Sequence, residues 1–252
     1  MRAFFLFIFV ATNVLASPVA IFDLDDTLFY SSSRTKVIFK EMAEQSEFKR
    51  LYPKEIESLT QIKQSEIEYS IEDTLIRANI TNKEFIKTTL EFWKARFFAN
   101  SYVKEDSLIE GAKAYVHMLK DLGVTIVYLT GRDHSMRSGT IESLISSGLP
   151  YDGTTAILIT KEHFETPDVE YKKSAFKDIE HLGTVVGVFE NEPKNLNAMI
   201  EYFPEATAFF LDVKHSPTTV KPSSQAIRIK NYLSDILTKV TQKYLLGSHL
   251  GL

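Results

Sequence analysis

The chain has 252 residues, of which 44% are hydrophobic and 25% are charged, a balance typical of a globular protein with its own core. The formal net charge of −4 excludes a general electrostatic attraction to nucleic acid or anionic membranes, so an anionic substrate would need a local binding site. Cysteine is absent from the sequence, which excludes disulfides, cysteine-ligated zinc and iron–sulfur clusters.

The first 16 residues have the pattern of a secretory signal peptide. Arg2 supplies a positive charge, residues 4–15 are almost wholly apolar, and small residues precede a cleavage point after Ala16. The apolar run is shorter than the roughly 20 residues that a membrane-spanning helix needs. The pattern therefore predicts a secreted or periplasmic protein that is cleaved near Ala16 and has no stable membrane association afterwards.

Short apolar runs alternate with helical patterns over most of the remaining chain. The runs predict buried strands at residues 19–22, 125–129, 156–159, 185–189 and 206–211. The helical patterns lie at residues 107–123, 135–147, 172–182, from Pro193 onward, and at 228–245. Strands that alternate with helices in this way predict an α/β fold, a Rossmann-like, doubly wound parallel sheet.

Residues 31–103 differ from this pattern because they have helical character without a strand pattern. A capping box at residues 81–84 precedes apolar residues at helical spacing, and a second capping box at residues 107–110 predicts the start of the next helix. We therefore predict an inserted all-helical domain at residues 31–103 and a core built from residues 17–30 and 104–252.

The first predicted strand ends in a cluster of acids, Asp23, Asp25 and Asp26. Carboxylates at a buried strand end are costly unless a cation or hydrogen bonds compensate them, although an acidic turn that caps a helix would show the same pattern. Asp23 and Asp25 can converge on one reacting group, one as a nucleophile that forms an aspartyl-phosphate and the other as a general acid and base. Clustered carboxylate oxygens also suit Mg²⁺.

This strand end resembles the first motif of the haloacid dehalogenase (HAD) superfamily, an apolar strand followed by Asp-x-Asp-x-Thr. Three later segments resemble the other motifs of that family in the same order: residues 126–132, residues 171–174 and residues 188–193. The resemblance covers residues 19–212. It implies a phosphatase rather than a dehalogenase, because Asp25, the acid two residues after the nucleophile, is present.

The resemblance also implies roles for individual residues. Asp23 would be the nucleophile, and Asp25 the general acid and then the base. The phosphoryl group would be held by Thr130, by the backbone amide of Gly131, and by Lys172 or its rival Lys173. Apolar residues four and seven positions after Lys172 favour that lysine, because they place it on a helix that packs against the core.

The metal site implied by the resemblance consists of Asp23, the backbone carbonyl of Asp25, and Glu190, which together would bind Mg²⁺. The family commonly has a second Asp after the first acid of its fourth motif, and this chain has Asn191 there. Asn191 could bind the metal through its side-chain oxygen, and Glu192 could replace the second acid or cap the next helix.

The implied function is that of a Mg²⁺-dependent phosphomonoester hydrolase acting on a small phosphorylated substrate. A phosphomutase or phosphotransferase of the same fold, and a non-catalytic binding protein that keeps the scaffold, remain alternatives, the latter because of Asn191. The helical insert resembles the type-1 cap of the family, which would close over the site and select the substrate with residues such as Tyr69 or Arg77. Neither the substrate nor the oligomeric state is predicted from the sequence.

Overall fold

The computed structural model describes residues 17–241, and the predicted signal peptide lies outside them. In chain order the strands are β1 (Pro18–Phe22), β2 (Phe29–Tyr30), β3 (Ser107–Leu108), β4 (Thr125–Asp133), β5 (Ala156–Lys161), β6 (Thr184–Glu190), β7 (Thr207–Leu211) and β8 (Ile227–Ile229). The helices are α1 (Ser32–Glu44), α2 (Ser46–Leu51), α3 (Pro53–Gln61), α4 (Ile71–Arg77), α5 (Lys83–Phe97), α6 (Asn100–Val103), α7 (Ala112–Asp121), α8 (Arg137–Ser146), α9 (Asp168–Glu180), α10 (Pro193–Tyr202) and α11 (Asp235–Val240).

Six strands form one parallel sheet in the order β5-β4-β1-β6-β7-β8, which confirms the predicted α/β fold. β1 lies inside this sheet, and its side chains alternate between the two faces as strand geometry requires. Ala20 and Phe22 pack into one hydrophobic cluster, whereas Val19 and Ile21 pack into the other. Helices cover both faces, which explains why the central strands are continuous apolar runs.

The helical insert lies between two short strands that pair with each other. Phe29 pairs with Leu108 and Tyr30 with Ser107 in an antiparallel ribbon, β2 with β3, and helices α1 to α6 occupy the segment between them. These helices bury their own hydrophobic cluster, whose members include Phe39, Met42, Leu59, Leu75 and Phe85. The insert is therefore packed around a core of its own.

Two predicted helix starts are wrong. The capping box predicted at residues 107–110 is absent, because Ser107 and Leu108 pair with β2 and α7 begins only at Ala112, after the left-handed Gly111. In the insert, the side chain of Asn82, and not that of Thr81, caps α5, because it accepts hydrogen bonds from the two backbone amides that follow Lys83.

The predicted helix at residues 228–245 is also wrong at its start. Residues 227–229 form β8, which pairs with β7 at the edge of the sheet, and α11 begins at Asp235. The open edge of β7 offers backbone hydrogen-bond partners that a three-residue segment can use. The part of this predicted helix beyond residue 241 lies outside the residues that the structure describes.

The strand order places β1 between β4 and β6, so the carboxyl ends of these three strands lie side by side. Ligands of open parallel sheets bind at such ends. None of the helices within residues 17–241 is long and apolar enough to cross a membrane.

Candidate active site

Two predicted carboxylates and one predicted lysine meet at the ends of β1 and β6. The Nζ atom of Lys172, in α9, lies 2.7 Å from Oδ1 of Asp23 and 2.5 Å from Oε2 of Glu190. All three side chains are at least nine-tenths buried. Three of the four predicted motifs therefore contribute to one buried cluster.

The charges in this cluster do not balance. Burial raises the pKa of Asp23, the neighbouring Glu190 raises it further, and Lys172 offsets only part of the rise. Burial acts to lower the pKa of Lys172, but the two carboxylates outweigh it and keep the ammonium group protonated. With both acids ionised, one negative charge remains uncompensated at the edge of the cavity.

The second predicted lysine lies elsewhere. Lys173 is exposed, and its Nζ is 4.0 Å from a carboxylate oxygen of Glu201 on the protein surface. Successive residues of a helix point about 100° apart, so only one of two adjacent lysines can face the sheet. The structure brings Lys172 to the predicted site and leaves Lys173 outside it.

Asn191 connects the fourth motif to the first. Its side-chain oxygen accepts a hydrogen bond from the hydroxyl of Thr27 at 3.1 Å, and its amide nitrogen donates to the carbonyl of Lys214 at 2.6 Å. The Glu190 carboxylate accepts hydrogen bonds from the backbone amides of Asn191 and Glu192, at 3.0 and 2.9 Å. These contacts hold the end of β6 against the loop that follows β1.

Glu192 faces the loop after β7. Its carboxylate accepts hydrogen bonds from the backbone amide of Ser216 at 2.7 Å and from the Ser216 hydroxyl at 2.5 Å. It makes no side-chain capping bond to α10, which begins with Pro193. Glu192 therefore organises the loop on one side of the cavity.

Asp25 is held by two arginines, one from the core and one from the insert. Its carboxylate accepts from Nε and Nη2 of Arg132, at 2.8 and 2.9 Å, and from Nη2 of Arg34 at 2.9 Å. Burial acts to raise the pKa of Asp25, but the two guanidinium groups outweigh it and hold the pKa well below its ordinary value. Asp25 is therefore ionised in this arrangement.

Asp106 completes this cluster from the far end of the insert. It accepts from Nε of Arg34 at 3.0 Å and from Nη2 of Arg132 at 2.8 Å, and its side chain is fully buried. Sequence reasoning assigned no role to these three residues. The one sequence signal for this cluster was the position of Arg132, which directly follows the second-motif residues Thr130 and Gly131.

The second motif places Gly131 at the wall of the cavity, whereas Thr130 is fully buried and is not among the residues that line it. The Thr130 hydroxyl is buried and accepts a hydrogen bond from the backbone amide of Arg132 at 3.2 Å. A side chain at Gly131 would meet the carboxylate of Asp168, which would have to move aside. The backbone of Gly131 is thus accessible from the cavity, next to an acid that pairs with Lys161 at 2.8 Å.

A cavity of about 260 Å³ separates this site from the helical insert, and residues of both units line it. Tyr69 lies on its wall, whereas Arg77 forms an exposed ion pair with Glu68. The cavity is also lined by four further aromatic side chains, namely Trp93, Phe97, Phe98 and Phe164. Within residues 17–241, no group of three or more acidic or histidine side chains has the spacing of a metal site.

Comparison with known proteins gives the same family that the motifs of the sequence resemble. The family model of the HAD superfamily, subfamily IIIB (acid phosphatase), matches residues 35–234, so the chain belongs to that family. It is accordingly a hydrolase of the phosphatase class. The matched range contains the second, third and fourth motifs and begins after the Asp23 strand end.

Two solved phosphatase structures show the same fold at low sequence identity. A candidate phosphatase from Clostridium difficile is 14% identical with a TM-score of 0.53, and the alignment covers 90% of this chain and 98% of that one. A predicted phosphatase from Clostridium acetobutylicum is 12% identical with a TM-score of 0.51, covering 90% and 99%. The class C acid phosphatase from Bacillus anthracis with tungstate bound is 13% identical with a TM-score of 0.40, and the chain covers only 56% of its length. None of the curated proteins matches the chain.

Proposed function

We propose that the protein is a Mg²⁺-dependent phosphomonoester hydrolase that acts through an aspartyl-phosphate on Asp23. The observation that carries this proposal is the buried contact of one ammonium group, that of Lys172, with both Asp23 and Glu190. A cation fixed beside a carboxylate nucleophile can hold a phosphoryl oxygen and offset the charge that collects during transfer. The accessible Gly131 backbone at the adjacent strand end supports the same assignment.

The proposed reaction has two halves. In the first, an oxygen of Asp23 bonds to phosphorus, the bond from phosphorus to the ester oxygen breaks, and a proton from Asp25 neutralises the leaving alcohol. In the second, water attacks phosphorus, gives its proton to Asp25, and releases phosphate from Asp23. Asp25 is ionised in this structure, which suits the second half. The first half requires Asp25 to exchange a guanidinium contact for a proton.

The residues present fit a divalent cation. Asp23 and Glu190 are buried and share a single ammonium group, so one carboxylate has no cation when both are ionised. The Asp25 carbonyl and the Asn191 side-chain oxygen add hard oxygen donors of the kind that Mg²⁺ prefers. When bound, Mg²⁺ would orient the phosphate and neutralise charge. Thr27, through its hydroxyl contact with Asn191, would keep that oxygen in place.

The experiment is a panel of phosphomonoesters assayed with Mg²⁺ and with a chelator, for the wild type and for Asp23→Asn. We expect chelator-sensitive release of phosphate by the wild type and none by Asp23→Asn, with unchanged folding by circular dichroism. Acid quenching during turnover should leave a phosphate on the peptide that contains Asp23, detected by mass spectrometry. Turnover by Asp23→Asn would exclude the covalent mechanism, and chelator-resistant turnover would exclude the metal.

We also propose that the helical insert acts as the substrate-selecting cap and that the protein is secreted or periplasmic. The first proposal is supported by the insert residues that line the cavity opposite Asp23. The second rests on the signal-peptide pattern of residues 1–16. N-terminal sequencing of the exported protein tests it, and a protein that keeps residues 1–16 would contradict it.

A further inference from the structure

The two carboxylate oxygens of Asp25 have different surroundings. Oδ1 accepts two hydrogen bonds, from Nη2 of Arg34 and from Nη2 of Arg132, both at 2.9 Å. In the part of the chain that the structure describes, Oδ2 accepts one hydrogen bond, from Nε of Arg132 at 2.8 Å. Because a carboxylate oxygen has about two lone-pair sites, the sites of Oδ1 are occupied and Oδ2 has one left.

This asymmetry identifies the oxygen that exchanges protons. The Asp25 side chain lines the cavity and is 34% exposed, whereas the side chains of Arg34 and Arg132 are buried. In the first half of the proposed reaction, the bond between phosphorus and the ester oxygen breaks, its electron pair stays on that oxygen, and a proton passes to it from Asp25. Oδ2, with a single guanidinium contact, is the oxygen at which this exchange costs least.

Arg34 reaches Asp25 from the insert. It lies in the first turn of α1, and its other partners belong to the insert or to the segment that returns from it to the core. Nε and Nη2 of Arg34 donate to the Asp106 carboxylate at 3.0 and 2.5 Å, and Nη1 donates to the carbonyl of Phe97 at 2.7 Å. The guanidinium group also lies over the Phe97 ring, 4.2 Å from its centroid. Arg34 is therefore fixed to the insert and extends one contact from it to Asp25.

Arg132 supplies the other contacts from the core, and they do not suffice to fix the carboxylate. Arg132 lies in β4, and its Nη1 donates to the hydroxyl of Thr140 at 3.3 Å. Without Arg34, Oδ1 would keep one contact and would resemble Oδ2. The terminal torsion of an aspartate is broad, so its partners must set its orientation. A general acid must lie within hydrogen-bond reach of the atom that it protonates, so that orientation matters for the reaction.

Resting on the phosphatase reaction proposed above, we infer that Arg34 is a positioning residue through which the insert aligns Asp25 for proton transfer to the leaving alcohol. If Arg34 only tied the insert to the core, its loss would affect all phosphomonoesters alike. Alignment of Asp25 predicts a different result, because only esters of poor leaving groups need the proton. The general acid is then complete only when the insert is in place.

The test is the ratio of kcat/KM for phenyl phosphate, a poor leaving group, to kcat/KM for 2,4-dinitrophenyl phosphate, whose alcohol leaves without a proton. In a two-step covalent mechanism kcat/KM reflects the steps up to release of the alcohol, so it isolates the first half. Arg34→Lys keeps the charge but lacks the planar fork that reaches Asp106 and Asp25 together. We expect this variant to lower the ratio by about tenfold, part of the roughly 10²–10⁴-fold that a positioned acid contributes. Because both esters are measured on one preparation, the ratio does not depend on how much of the variant is folded.

Arg96→Lys is the matched control and should leave the ratio unchanged. Arg96 is also an insert arginine that pairs with a carboxylate, that of Glu41 at 3.0 Å, and lies over a ring, that of Phe92 at 3.4 Å, but it does not line the cavity. Asp25→Asn should lower the ratio at least as far as Arg34→Lys does, and no decrease there would overturn the inference. An equal loss for both esters in Arg34→Lys, or an unchanged ratio, would also overturn it, while turnover by the wild type upheld the phosphatase function. Absence of turnover of both esters by the wild type would refute that function and the inference with it.

Discussion

Lys172→Met removes the charge that holds Asp23 and Glu190 together while keeping most of the apolar stem of the side chain. The two carboxylates, whose side chains are 8% and 0% exposed, would then face each other without a cation. Removing one partner of a buried ion pair costs about 3–5 kcal/mol. Because a chain of this size loses about 2–4 °C in melting temperature for each kcal/mol, we expect a decrease of roughly 10 °C at alkaline pH, where both carboxylates are ionised.

The stability lost in Lys172→Met should depend on pH, and the titration of the buried carboxylates fixes the direction of that dependence. Burial raises the pKa of folded Asp23 from 3.8 to about 8, so between these values the folded state binds more protons than the unfolded chain. Stability therefore falls as the pH rises through this window. Without the offset from Lys172 the pKa of folded Asp23 rises further, so the fall in stability continues to higher pH. The deficit of Lys172→Met should therefore be largest at the alkaline end and small near the acid end.

The assay is thermal and urea unfolding of wild type, Lys172→Met and Lys173→Met across that pH range and above its alkaline end. Lys173 is exposed, so its variant should stay within about 0.5 kcal/mol of the wild type. Added Mg²⁺ should stabilise Lys172→Met by about 1.4 kcal/mol at ten times its dissociation constant, because two bare carboxylates remain to bind it. Melting of Lys172→Met within about 2 °C of the wild type at every pH would refute the reasoning.

Three further substitutions test other parts of the site. Asp106→Asn leaves two buried guanidinium groups with one carboxylate, and should cost about 3–5 kcal/mol in urea unfolding and lower kcat. In Gly139→Ala the new Cβ would lie 2.5 Å from the carbonyl oxygen of Asn100, which pushes the insert away from α8; we expect a cost of about 1–3 kcal/mol and a larger effect on KM than on kcat. Tyr232→Phe removes the 3.1 Å hydrogen bond to the carbonyl of Thr27 and should cost about 1 kcal/mol with a decrease in kcat.

Each of these substitutions has a control that introduces the same residue at an exposed position. Asp178→Asn, Ser138→Ala and Tyr202→Phe alter exposed side chains outside the cavity and should leave kcat and KM unchanged. Stability of Asp106→Asn equal to that of Asp178→Asn would contradict the importance of the buried cluster. Unchanged KM in Gly139→Ala, or unchanged kcat in Tyr232→Phe, would show that the corresponding contact does not position the site.

The sheet could be predicted from the sequence wherever a strand is buried on both faces. The predicted runs at residues 19–22 and 185–189 became β1 and β6, because only a continuous apolar segment can lie between two helical layers. β8 could not be predicted, since three residues carry too little pattern and their pairing depends on the exposed edge of β7. The helix start predicted at residues 107–110 was wrong for a similar reason, because pairing with β2 outweighed a local capping signal.

Site residues could be predicted only where the pattern lies within a single helix or strand. Spacing along α9 favoured Lys172 over Lys173, and the structure brings Lys172 to Asp23. The contact between Arg34 and Asp106 could not be found, because the two residues are 72 positions apart and meet only after the β2–β3 ribbon closes the insert. The metal, the cap role and secretion remain predictions.

The hydrogen bond from Tyr232 to Thr27 joins residues that are 205 positions apart. The strand that ends before Asp23 is synthesised early, yet its neighbours in the sheet follow more than a hundred residues later. Tyr232, which contacts the loop after this strand, comes later still. Contacts of such long range form slowly, because much of the chain must be ordered before they stabilise anything. A nascent or shortened chain that ends before residue 232 would carry Asp23 without that support, so activity should appear only late in biosynthesis.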